Sequence, residues 1–107
     1  MAPSGSRPNA GVVTAYLHIH ITVTDPERYS RYQELAPPSM KAHGARLLAK
    51  ARQPEMLEGE ASHPVSVLLA FDDAEAAKRW YASPEYARAI EARRGAATFV
   101  TTLLPGA

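Results

Sequence analysis

The sequence contains no cysteine, which excludes disulfides, thiol nucleophiles and zinc–thiolate sites. It also lacks an excess of charge of either sign, because 12 lysines and arginines are balanced by 11 aspartates and glutamates, for a formal net charge of +1. This balance gives no electrostatic reason to expect a nucleic-acid or membrane partner. No apolar run approaches the ~18–20 residues that a membrane-spanning helix needs. We therefore predict a cytoplasmic location and neither of these partners.

The chain nevertheless has enough apolar residues for a folded domain. It is 107 residues long and 46% hydrophobic, which suits one domain with a real core. The beginning of the chain carries a positive charge but no apolar segment behind it, so it does not resemble a secretory signal. We predict a flexible N-terminal tail over residues 1–11 and a single domain over residues 12–105.

One segment alternates strictly between apolar and polar residues, as a half-buried strand does. Within the strand predicted over residues 12–23, one face carries Leu17, Ile19, Ile21 and Val23. The other face carries Tyr16, His18, His20 and Thr22. Aromatic, imidazole and hydroxyl groups on one face of a strand are typical of a polar-lined pocket wall.

Capping and helix-breaking residues predict the next elements. Asp25 and Pro26 indicate a helix start, since aspartate caps free amides and a first-turn proline loses no hydrogen bond. Pro37 and Pro38 predict an interruption of this helix, because proline in a helix interior removes a hydrogen bond. A short second helical piece should then end at Gly44.

The remaining chain reads as alternating strands and helices. Asp72, with Glu75 three residues later, resembles a capping box at the start of a helix. We predict strands over residues 45–51, 65–71 and 97–104 and helices over residues 74–82 and 84–94.

The resulting order β-α-β-β-α-β predicts an α+β, ferredoxin-like fold with a four-stranded antiparallel sheet. Right-handed crossovers place the helices on one face of the sheet. The other face would then expose a mixed apolar and imidazole surface, which a monomer rarely tolerates. We expect a homodimer in which two sheets pack face to face and enclose a partly polar cavity in each protomer.

Five stretches of the sequence resemble the domain-of-unknown-function 1330 family, a member of the dimeric α+β barrel superfamily. These stretches are Val23-Thr-Asp-Pro-Glu-Arg-Tyr29, Pro37-Pro38, Gly44-Ala-Arg46, Leu57-Glu-Gly59 and Trp80-Tyr-Ala-Ser-Pro-Glu-Tyr86. The resemblance covers about Tyr16 to Leu104 and implies the fold above. The superfamily includes quinone-forming monooxygenases, polyketide cyclases, muconolactone isomerase-like enzymes and haem-binding proteins, and several members work without a cofactor.

The chain also departs from the family pattern. Where family members usually carry a tryptophan, an arginine and a strand carboxylate, this sequence has Ala61, Val65 and Ala70. The loss of two large groups and a charge implies an altered cavity or an altered mouth. The pair His18 and His20 is not a feature of the family.

These two histidines are the strongest candidates for chemistry. They lie two residues apart on one strand, so their rings point into the same space, roughly 6.5–7 Å apart at the backbone. Imidazole titrates near neutral pH and can act as a general acid or base on an enolisable carbonyl or a phenol. Two alternatives remain: both rings are structural interface groups, or they bind a metal with His63 or Glu58 as a third ligand. We predict neither a metal nor an organic cofactor.

The resemblance also points to Arg46, which matches the family's G-x-R position and would orient a carboxylate or enolate with its planar fork. Lys50, four residues later, is expected on the same face as Arg46 and would bind the substrate in the same way but more loosely. We further predict that Tyr16, Ser66 and Glu58 contact the substrate.

We predict a cofactor-independent cyclase, isomerase or lyase for a small oxygenated molecule, polyketide-like or aromatic. His18, His20 and Arg46 would be its catalytic residues. The alternatives are a non-catalytic dimer that holds a hydrophobic ligand and a cofactor-free, quinone-forming monooxygenase that acts on a phenol.

Overall fold

A computed structural model describes residues 14–61 and 63–106. The predicted tail, residues 1–11, lies outside the described residues, as do residues 12 and 13 of the first predicted strand. The elements are β1 Ala15–Val23, α1 Pro26–Ala42, β2 Arg46–Ala51, β3 Val65–Phe71, α2 Ala74–Tyr81, α3 Pro84–Arg93 and β4 Ala97–Leu104. None of the helices in these described ranges is long and apolar enough to span a membrane.

The four strands form one antiparallel sheet in the order β2-β3-β1-β4. The three helices cover one side of it, and apolar side chains of β1 and β3 pack against the buried Tyr32, Trp80 and Tyr86 of these helices. The predicted ferredoxin-like α+β fold is therefore confirmed. We call the covered side the helix face and the opposite side the open face.

The predicted interruption of α1 at its two prolines is wrong, because α1 runs unbroken from Pro26 to Ala42. Pro37 and Pro38 cannot donate to the carbonyls four residues earlier, those of Gln33 and Glu34. All four residues are exposed, so water can solvate the two carbonyls. The helix therefore tolerates the loss of two hydrogen bonds on its solvent side.

The start of α2 also differs from the prediction by one residue. Asp73, not Asp72, is the N-cap, and its carboxylate accepts a hydrogen bond from the backbone N–H of Ala76 at 2.7 Å. Glu75 is thus not at the capping-box position. Asp72 is left free to contact β2.

Strand β2 contains an irregularity that the sequence does not signal. Arg46 and Leu47 pair with Ala70 and Leu69, but the next pair joins Ala49 to Leu68. Leu48 is therefore an extra residue on β2, a β-bulge in an otherwise regular ladder. The bulge changes which face each later side chain of β2 occupies.

Candidate functional site

The open face collects the polar side chains of β1 and their neighbours on the adjoining strands. Strict alternation places Tyr16, His18, His20 and Thr22 there, since their neighbours Leu17, Ile19 and Ile21 are buried against the helices. Directly paired residues share a face, so the register adds Ser66, Leu68 and Ala70 of β3 and Thr98, Val100, Thr102 and Leu104 of β4.

His18 and His20 are in direct contact at the centre of the open face. Their ring centroids are 4.0 Å apart and their planes meet at 69°. Nε2 of His20 lies 3.1 Å from both Nδ1 and Nε2 of His18. Because a neutral imidazole has one N–H and one acceptor nitrogen, either ring can be the donor in this contact, and the tautomers decide which.

This contact affects the protonation of His18. Partial burial lowers the pKa of His18 below its ordinary value of 6.5, and the nearby charge of His20 lowers it further. Protonating both rings at once would place two positive charges in contact. His18 is thus held in its neutral form, as a proton acceptor, at neutral pH.

Two further polar residues lie close to this pair. Ser66 on β3 is the direct cross-strand partner of His20, and Tyr16 precedes His18 by two residues on the same face. Two residues beyond His20 on the same face, the hydroxyl of Thr22 is 2.6 Å from Nδ1 of His63. The sequence alternation places Thr22 on this face, but nothing local could place His63 beside it.

Arg46 lies at the end of the open face, away from the histidines. It pairs with Ala70, which pairs in turn with Tyr16, so the three residues form one row across the sheet. Its guanidinium donates to the Asp72 carboxylate at 3.1 Å, in an exposed ion pair. The structure therefore brings Arg46 to the rim of the face that carries the histidines.

The expectation that Lys50 shares the face of Arg46 is wrong. Because of the bulge at Leu48, Lys50 pairs with Val67, whose side chain belongs to the buried core. Lys50 therefore lies on the helix face, across the sheet from the histidines. Glu58 is exposed in the loop between β2 and β3. The predicted site residues are therefore divided among the open face, the helix face and this loop.

The positions that depart from the family pattern are also separated. Ala70 is buried on the open face between Arg46 and Tyr16, where a carboxylate would lie beside both. Val65 pairs with Ile21 and lies on the helix face. Ala61 is exposed in the β2–β3 loop.

Three cavities formed by the described residues lie on the helix face, and the histidine pair borders none of them. The first, of ≈ 450 Å³, lies between α1 and β2 over Ile19, Ile21 and Leu69. The second, of ≈ 470 Å³, lies beneath α2 and α3 beside β4. The third, of ≈ 670 Å³, lies beside Tyr29 and Val65. On the open face of the single chain, the side chains of Val100 and Leu104 are exposed.

Within residues 14–61 and 63–106, no three His, Cys, Asp or Glu side chains are grouped to hold a metal ion. The His18 and His20 rings contact each other, and the ring of His63 is bonded to Thr22. His63, one of the two residues considered as a third ligand, is thus bonded to Thr22 and does not contact the histidine pair.

Arg93 has an environment that the sequence does not indicate, because the basic pair Arg93 and Arg94 is typical of exposed side chains that complement a helix dipole. Arg93, in the last turn of α3, lies over the ring of Phe99 instead of extending into water. The signal in the sequence is the helical spacing of Tyr86, Ala89 and Arg93, and the structure buries the first two of these residues.

The family model described as domain of unknown function (DUF1330) matches residues 14–107. The chain belongs to this family. No curated protein matches it significantly.

Solved structures share its fold. A protein of unknown function from Rhodopseudomonas palustris superposes with a TM-score of 0.72 at 15% identity, over 89% of this chain and 83% of that one. SnoaB, a cofactor-independent oxygenase from Streptomyces nogalater, has a TM-score of 0.60 at 15% identity, over 90% of this chain and 95% of that one. A hypothetical Arabidopsis thaliana protein has a TM-score of 0.65 at 9% identity, over 90% and 89% of the two chains. At such identities the likeness concerns the fold alone.

Proposed function

We propose that this protein is a cofactor-independent acid–base enzyme that acts on a small oxygenated molecule at the open face of its sheet. The observation that carries the proposal is the contact between His18 and His20, in which one ring is held neutral beside a second ring that can share its proton. A titratable group whose pKa is shifted by burial and a charged neighbour, as that of His18 is, is often found at a functional site.

In the proposed reaction, His18 accepts a proton from an activated C–H or a phenolic O–H of the substrate. The resulting imidazolium donates a hydrogen bond to Nε2 of His20, which is 3.1 Å away. The substrate is left as an enolate or phenolate, and the same proton is returned at another carbon or oxygen. This sequence accounts for an isomerisation, a cyclisation or an elimination without any redox partner.

The hydroxyls of Ser66 and Tyr16 orient the substrate oxygen, because both lie on the face that carries the histidines. Arg46 at the rim attracts the developing negative charge, in competition with its partner Asp72. The positions of Lys50 and Glu58 do not favour contact with the same molecule.

A second copy of the chain completes the site by covering the open face. Val100 and Leu104 of β4 are 46% and 43% exposed there, and Leu48 at the bulge is 52% exposed. Such apolar side chains beside imidazoles favour a face-to-face homodimer over a bare surface. Enclosure would also exclude water from the reacting groups and strengthen their electrostatic interactions.

Cofactor-free oxidation of a phenol is the second candidate function. It is supported by the fold shared with SnoaB, which is a cofactor-independent oxygenase. The same neutral imidazole would generate the phenolate, and dioxygen would then be the oxidant. A ligand-binding protein without turnover is the third candidate.

One experiment separates these candidates. The protein is incubated in deuterium oxide with a panel of enolisable β-diketones and phenolic ketones, while NMR follows hydrogen exchange and an electrode follows dioxygen. We expect catalysed exchange without dioxygen uptake, reduced by about 10²–10⁴-fold in His18→Gln and less strongly in His20→Gln.

The matched control is His43→Gln, since His43 caps α1 and is bonded to Glu85 far from the open face. Dioxygen consumption with the same histidine dependence would establish the oxygenase instead. Exchange that survives the His18→Gln substitution would contradict the acid–base role.

A further inference from the structure

Arg93 has a cationic side chain whose charge is not matched by an acidic partner. Its guanidinium carbon lies 3.7 Å from the centre of the Phe99 ring and 5.8 Å from that of Tyr32. Its Nε atom is buried and has no hydrogen-bond partner. Among the described residues, no ion pair joins Arg93 to a carboxylate.

The contacts of Arg93 account only in part for why its cationic side chain is turned toward the aromatic rings. The two rings provide cation–π contacts, and the last turn of α3 favours a positive charge. The neighbouring Arg94 is exposed, already places a positive charge at this helix end, and pairs with Glu91 at 3.1 Å. Drawing Arg93 inward places its guanidinium beside the hydroxyl of Tyr86 but leaves its buried Nε without an acceptor, which is unfavourable unless an anion is bound.

Arg93 forms part of the wall of the ≈ 470 Å³ cavity between β4 and the α2–α3 layer. Apolar side chains of Leu17, Phe99 and Leu103 line one part of this cavity, and Thr101 and Tyr81 add hydroxyl groups. A volume of this size is ordinary for a small organic ligand. Lys78 also lines the cavity, but its ammonium is paired with Glu75 at 3.8 Å. The cavity therefore combines the cation of Arg93, which has no acidic partner among the described residues, with hydroxyl donors and an apolar wall.

We propose that this cavity is a binding site for a small organic carboxylate with an aromatic or branched apolar body. The carboxylate would accept hydrogen bonds from the planar fork of Arg93, and the body would contact Leu17 and Leu103. The site lies on the helix face, across the sheet from His18 and His20, and is distinct from the proposed acid–base site.

The first experiment compares four probes by NMR titration of the full-length, isotopically labelled chain. Benzoate is the test ligand, benzamide lacks its charge, acetate lacks its apolar body and sulfate is an inorganic anion. We expect saturable shifts of the Thr101 and Leu103 amides with benzoate, and binding at least tenfold weaker for the other three probes.

Three variants assign the effect to the guanidinium. Arg93→Met retains the length and apolar contact of the side chain, Arg93→Lys retains its charge without the fork, and Arg94→Met removes the adjacent charge. We expect Arg93→Met to weaken benzoate binding at least tenfold, Arg93→Lys to give an intermediate loss and Arg94→Met to leave binding unchanged. Near-ultraviolet circular dichroism of each variant confirms that it is folded.

Several outcomes would overturn the proposal. They are equal binding of benzamide and benzoate, equal binding of acetate and benzoate, binding of sulfate alone, and no effect of Arg93→Met. Absence of any saturable shift with benzoate would do the same. None of these results depends on His18 or His20, so the test is independent of the proposed enzyme activity.

Discussion

At the scale of single residues, the contact between His18 and His20 affects the protonation of His18. Burial is the larger cause of the lowered pKa of His18, and the charge of His20 is the smaller one. The unfolded chain has neither effect. Protonation of His18 is consequently coupled both to its neighbour and to folding.

We expect His18 to titrate below 6.5 in the wild-type protein and closer to 6.5 in His20→Gln, where the neighbouring charge is absent. The remaining difference should reflect burial. Two-dimensional NMR of the imidazole protons against pH measures both values. A titration of His18 that is identical in wild type and His20→Gln would contradict the coupling.

The same shift predicts how stability depends on pH. Between 6.5 and the lower pKa of folded His18, the unfolded chain binds a proton that the folded chain does not, so stability falls as the pH falls through this interval. Above 6.5 the effect disappears. Urea unfolding at a series of pH values should show a shallower acid-side decline for His18→Gln than for wild type.

A second residue pair stabilises the helix face. The hydroxyls of Tyr32 and Tyr86 are 2.8 Å apart, and burial raises the pKa of both phenols, so both remain neutral hydrogen-bonding groups. We expect Tyr32→Phe to cost about 1–2 kcal/mol, because the hydroxyl of Tyr86 loses this partner. Urea unfolding should give a smaller cost for Tyr32→Phe/Tyr86→Phe than the sum of the two single substitutions. Additive costs would argue against a shared hydrogen bond.

At the scale of elements, several side-chain contacts hold the joint between α2 and α3 together. The Trp80 and Tyr86 rings are 4.0 Å apart across it, and the Trp80 indole N–H donates to the hydroxyl of Ser39 on α1 at 3.0 Å. The Ser83 hydroxyl accepts from the backbone N–H of Tyr86 and donates to the carbonyl of Trp80. One buried serine thereby ends one helix and begins the next.

We expect Ser83→Ala to destabilise the protein by about 1–2 kcal/mol, since it removes the N-cap of α3 and leaves a buried amide without its partner. Ser30→Ala is the control, because the Ser30 hydroxyl also bonds to a helix carbonyl but is exposed. Its cost should be within about 0.5 kcal/mol. Equal unfolding free energies for the two variants in urea would contradict the capping role.

At the scale of the whole molecule, the sheet separates two chemically different sides. The helix face holds the core and the described cavities, including the one beside Arg93. The open face holds the histidines together with exposed Val100 and Leu104. In the proposed homodimer a second copy would close that side, so the proposed activity would depend on self-association.

We expect Val100→Lys to weaken self-association at least tenfold, because a dimer would have to bury the added ammonium groups. Folding should be retained, since the side chain is 46% exposed in the single chain. Sedimentation velocity over a range of concentrations measures the change. Ala87→Lys, which adds the same charge to the exposed side of α3, should have no effect. A wild-type chain that remains monomeric throughout would contradict the dimer.

Much of this architecture is local in origin and could be predicted from the sequence. Alternation in β1 separates His18 and His20 from Leu17 and Ile19 because the period of a strand is two. Helix starts at Pro26 and Pro84 follow from aspartate and serine caps. These features depend only on residues a few positions apart, so the element order and the fold follow from them.

The tertiary structure decided what depends on distant residues. The bulge at Leu48 arises from pairing with β3, and it moves Lys50 to the face opposite the one that alternation assigns. The bond of His63 to Thr22 joins residues 41 positions apart. Helix α1 tolerates two prolines in its interior because the carbonyls that lose their hydrogen-bond donors belong to exposed residues, which water can solvate. Register, solvation and cavity shape are set by the packing of whole elements, so a local pattern predicts a residue's face but not its partner.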